Sequence, residues 1–71
     1  MAQVEIFKTN MDDEHAALKA LQMLQDALPG CEINFDLDDC DRVLRIKGEA
    51  FDVGLVLEKM KWLGHQCGLL P

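Results

Sequence analysis

Hydrophobic and polar positions alternate or recur with clear periods along most of this chain. Val4 and Ile6 alternate with Gln3 and Glu5, which predicts a half-buried strand over residues 2–8, with the aliphatic pair facing inward. Thr9-Asn10-Met11-Asp12 then offers helix-capping side chains, and Asp12, Asp13 and Glu14 place negative charge in or beside a first turn. From residue 13 to 28 the period is helical. Ala17, Leu21, Leu24 and Leu28 share one stripe, flanked by Leu18, until Pro29-Gly30 stops it. Ile33, Phe35 and Leu37 alternate with Glu32, Asn34 and Asp36, predicting a second strand. Asp38-Asp39-Cys40-Asp41 reads as a polar turn, and Leu44 and Ile46, alternating with Arg45 and Lys47, form a third strand paired to the second as a hairpin. A second helix is expected over residues 51–63, with Gly64 at its stop, followed by a short strand over 65–70.

Strand, helix, strand, strand, helix, strand is the order of the ferredoxin-like βαββαβ sandwich. That α+β fold lays two helices on one face of a four-stranded antiparallel sheet and leaves the other face to solvent. The positions expected to point outward (Gln3, Glu5, Glu32, Asn34, Asp36, Arg45, Lys47 and Gln66) are polar, as the arrangement requires. At 71 residues the chain is one domain, expected to be whole and near the lower size limit for an independent core.

Composition narrows the chemistry. Seven Lys+Arg against 13 Asp+Glu give a formal charge of −6, which opposes binding to nucleic acid or anionic membranes. The open sheet face offers Phe7 as its one candidate aromatic, too little to stack bases in the manner of RNA-binding sheets. Serine and tyrosine are absent and Thr9 is the sole side-chain hydroxyl, so serine-nucleophile chemistry is excluded. No converging acid, base and nucleophile suggests an enzyme. Three cysteines, Cys31, Cys40 and Cys67, cannot all pair within one chain and lack C-x-x-C spacing, which points to a reduced, cytoplasmic setting. No basic, apolar signal segment opens the chain, and no apolar run reaches the ~20 residues of a membrane span.

Val4-Glu5-Ile6-Phe7, Met11 before the first helix, Leu28-Pro29-Gly30, Ile33-Asn34-Phe35-Asp36-Leu37 and Leu63-Gly64-His65 together span nearly the whole chain. In these features it resembles the heavy-metal-associated domains of copper chaperones and metal-pumping ATPases. The resemblance implies a Met-x-Cys-x-x-Cys loop that binds a soft metal at the start of the first helix. Here the run is Met11-Asp12-Asp13-Glu14-His15-Ala16: the methionine is present, but the cysteine slots fall on Asp13 and Ala16, or on Glu14 and Ala17. Carboxylates match Cu(I) poorly, so no tight copper site is expected and no cofactor is implied. The alternative is a weak divalent site for Zn²⁺ or Ni²⁺ built from Met11, Asp13, His15 and His65.

Two further constellations read as structural. His65 and Cys67, two apart on a strand, lack a third orienting group for nucleophilic chemistry. Residues 36–47 fail the calcium-loop pattern, with Asp41 at the glycine position and Lys47 at the terminal glutamate position.

The second helix departs most from expectation. Val53, Val56, Met60 and Leu63 form its core face, yet Phe51, Leu55 and Trp62 form a second apolar line away from it. A helix apolar on two sides is covered on both or exposes a patch. The expectation is therefore a non-enzymatic interaction module that binds a protein partner or itself, as a homodimer, through Phe51, Leu55 and Trp62.

Overall fold

A computed structural model of the chain describes residues 2–71. It contains β1 (Gln3–Thr9), α1 (Glu14–Ala27), β2 (Glu32–Asp36), β3 (Val43–Gly48), α2 (Val53–Trp62) and β4 (Cys67–Leu69). The sheet order is β2-β3-β1-β4, with every pairing antiparallel. This is the ferredoxin-like sandwich, with α1 packed chiefly over β2 and α2 over β4. No helix among the described residues is long and apolar enough to cross a membrane.

Local chemistry places the helix ends. Asp13 caps α1 by accepting from the His15 amide at 3.0 Å, and Asp52 caps α2 by accepting from Gly54 at 2.8 Å. At the end of α2, Gly64 takes the left-handed conformation at φ 90°. The Gly64 amide donates to the Lys61 carbonyl and the His65 amide to the Met60 carbonyl. These are the two bonds of a Schellman motif, which holds the last turn of α2, Trp62 included, in a fixed orientation.

The core lies between the sheet and both helices. Phe7, Leu44, Ile46, Leu24, Val56, Met60 and Met11 are its largest enclosed side chains, and Ala20 lets α1 approach closely. Ile33 and Ile46 face each other across β2 and β3, as do Phe35 and Leu44. Among the described residues no polar or charged side chain is fully buried.

β1 runs opposite to the expected parity. Phe7 is 0% exposed and lies directly across from Leu44, so the odd-numbered residues of β1 face the helices. Val4 and Ile6, expected inside, stand on the open face at 43% and 40% exposure. Gln3 and Glu5, expected outside, are half-buried at the rim of the helix side, where the Gln3 amide donates to Glu5 and its oxygen accepts from the Phe51 amide. The reason is volume. One strand face must hold Phe7 against Leu44, and the period of two then carries Val4 and Ile6 to the other side.

Thr9 joins three segments. Its amide donates to the Asp41 carbonyl at 2.9 Å and its hydroxyl to the Arg42 carbonyl at 2.6 Å, while the hydroxyl accepts from the Met11 amide at 3.1 Å. The end of β1, the β2–β3 turn and the approach to α1 are thereby fastened together. This brings the acidic segments 12–14 and 36–41 to the same end of the molecule.

Candidate functional site

The residues singled out on α2 divide into two groups. Phe51 and Leu55 are half-buried and pack against the core, so they do not continue the exposed line. Trp62 remains outside at 75% exposure. At 100° per residue, Trp62 lies about 120–160° around the helix from Val56 and Met60, the side chains that α2 buries completely. Among the described residues it is the most exposed of the large hydrophobic side chains.

Trp62 edges a groove of about 360 Å³ between the helices, lined by Glu58 and Lys59 of α2 and by Met23, Asp26 and Ala27 of α1. Its floor is apolar and its rim carries both signs of charge. The α1 contribution comes from helix-to-helix pairing. Met23, Asp26 and Ala27 carry no distinguishing signal in the sequence, because the crossing of two helices depends on their common sheet. The charges within the two helices are balanced, Glu14, Asp26 and Glu58 against Lys19, Lys59 and Lys61, and the caps Asp13 and Asp52 add two carboxylates at the helix N-termini. The acid excess of the chain is concentrated instead at the end fastened by Thr9.

The proposed metal ligands are only partly brought together. Met11 is completely enclosed in the core, which removes its thioether from any surface site. Asp13, His15 and His65 do line one hollow, of about 340 Å³, together with Ala16, Lys19 and Leu63. Asp13 is engaged as the α1 cap, and the Lys19 ammonium in the same hollow opposes a cation there. His65 lies in the turn before β4, so it does not share a strand face with Cys67. Among the described residues, the His/Cys/Asp/Glu group with mutually close ligand atoms is Asp39, Cys40 and Asp41, all within 4.8 Å and all exposed on the β2–β3 turn.

All three cysteines are free. Cys40 is exposed, whereas burial pushes the Cys67 thiol up from 9.0 to about 11, so it is neutral and unreactive at physiological pH. Cys31 packs against the Gly48 backbone, where its Sγ fills the space a side chain would take.

No protein-family model matches the sequence, and no curated protein matches it significantly.

Proposed function

We propose that this chain is a non-enzymatic protein-association module, a heavy-metal-associated-like scaffold without the thiolate site, whose docking group is Trp62. The observation that carries the reading is the 75% exposure of the chain's single tryptophan on the edge of an apolar-floored groove. Tryptophan is enriched among the side chains that dominate interface energetics, and an indole left in water forgoes a large apolar burial. A second copy of the chain is the favoured partner. The −6 charge would oppose self-association elsewhere, but the balanced charges within the two helices let two copies meet with Trp62 of each in the groove of the other. Its acidity and the sparse aromatic content support neither nucleic-acid binding nor membrane binding, and the free thiols suit a cytoplasmic setting.

Sedimentation equilibrium tests this directly. The protein is expected to dimerise with a blue shift of Trp62 emission, and Trp62→Glu to sediment as a monomer with an unchanged circular dichroism spectrum. A monomer at every accessible concentration would overturn self-association and leave only a different protein as the partner of Trp62.

A second reading, weak divalent metal handling, is favoured by the meeting of Asp13, His15 and His65 in one hollow. Calorimetric titration with Zn²⁺ and Ni²⁺ decides it. Saturable binding tighter than about 10 μM, or ~7 kcal/mol, that His15→Ala removes would support it, and its absence would dismiss it.

A further inference from the structure

The inverted parity of β1 creates a second surface, remote from Trp62. On the open face of the sheet, Val4 lies directly across from Lys47 and Ile6 directly across from Arg45. On the other side of β1, the Leu70 amide donates to the Ile6 carbonyl at 2.8 Å, which sets Leu70 beside Ile6. An aliphatic strip (Val4, Ile6, Leu70) thus runs along a cationic strip (Arg45, Lys47), with Lys8 continuing on β1. Three of the chain's seven cations stand on this one face. On the other side of β3, Glu32 of the outer strand β2 lies directly across from Lys47 and Asp36 across from Val43, whereas Arg45 is flanked by Asn34 and Ile6 and has no carboxylate directly opposite.

We infer that this face docks an acidic amphipathic segment of a protein partner. Arg45 and Lys47, two residues apart on one strand, are spaced by roughly 6–7 Å. Carboxylates at i and i+2 of a strand, or at i and i+4 of a helix, match that spacing. Aliphatic side chains beside those carboxylates would cover Val4, Ile6 and Leu70. Such a partner answers the face on both counts, apolar burial and opposite charge. A second copy matches it less well, because its open face presents the same cationic strip rather than an acidic one. Single-stranded nucleic acid does not match it: Phe7 and Phe35 both point to the helix side, so the strands present no aromatic for stacking.

The probe is a fluorescein-labelled, 14-residue amphipathic helical peptide with a stripe of leucines beside a stripe of glutamates, and a counterpart with glutamine for every glutamate. Anisotropy should show saturable binding of the glutamate peptide that weakens with salt. The glutamine peptide, and the variants Arg45→Glu and Lys47→Glu, should each bind at least about tenfold more weakly. Amide shifts should be confined to β1, β3 and β4. Trp62→Glu should bind the probe as the parent does, whatever becomes of self-association, so this proposal and the preceding one fail independently. Circular dichroism establishes that each variant is folded, and Arg45→Gln, which removes the charge without reversing it, should show the same direction of change. No binding at about 1 mM peptide, equal affinity of Arg45→Glu and parent, or amide shifts at the α1–α2 groove would each overturn the inference. So would binding of vesicles of 3:1 phosphatidylcholine and phosphatidylserine by a protein that ignores the peptide. Self-association that Arg45→Glu abolishes would assign the face to a second copy and equally overturn it.

Discussion

Phe7→Ala is expected to remove a large part of the protein's stability, while Ile6→Thr, one residue away, leaves it nearly as stable as the parent. Phe7 is 0% exposed and packs across from Leu44 at the centre of the sheet. Removing such a ring costs about 3–5 kcal/mol, lost transfer free energy and the residual cavity together. A domain of this size has a total stability of only about 4–10 kcal/mol, so one substitution consumes much of it. Ile6 is 40% exposed on the open face, and threonine retains the β-branched shape that suits a strand. Its replacement is expected to cost no more than about 1 kcal/mol. Urea titration followed by circular dichroism measures both. A larger loss for Ile6→Thr than for Phe7→Ala would mean that β1 packs with the opposite parity.

Gly48→Ala is expected to destabilise by about 1–3 kcal/mol, and the loss should largely vanish in a Cys31→Ala background. A Cβ at position 48 would sit 2.5 Å from the Cys31 Sγ, and 3.5 Å from the Cys31 Cβ and from Cδ1 of Phe51. Cysteine has a single side-chain torsion, so the sulfur has little room to yield. Without that approach the sign would reverse, because alanine is favoured over glycine in a strand by roughly 0.5–1 kcal/mol. A double-mutant cycle separates the two effects. Equal costs for Gly48→Ala with and without Cys31 would show that the close approach is not what excludes a side chain at position 48.

Much of the fold was legible because its signals are local. Helical spacing marked α1, and Asp13 and Leu28 bound it as the expected residues 13–28 implied. Alternation marked β2 and β3 and placed Ile33, Leu44 and Ile46 inside, where the structure has them. Gly64 ended α2 through its positive φ. The candidate sites were less legible. That Trp62 lies off the core face followed from angular spacing alone, but the return of Phe51 and Leu55 to the core did not. Phe51 precedes the helix, and its placement depends on its amide bonding to Gln3, 48 residues away in sequence. The metal corner shows the same division. Asp13, His15 and His65 meet in one hollow, as loop and turn positions suggested, whereas Met11 was drawn into the core.

What the sequence determined by itself, then, is the number, type and order of the elements, and with them the sandwich. Each of those signals is carried by neighbours within a turn or a strand, so it survives without tertiary context. β1 shows where that ends. Gln-Val-Glu-Ile-Phe-Lys-Thr has apolar residues on both parities, Val4 and Ile6 on one and Phe7 on the other, and alternation alone favours the pair. Only the assembled sheet decides for Phe7, because a single register with β3 must bury the largest ring against Leu44 and the helices. The aliphatic and cationic surface on the open face follows from that choice, as does the groove beside Trp62 from the packing of two helices on a common sheet.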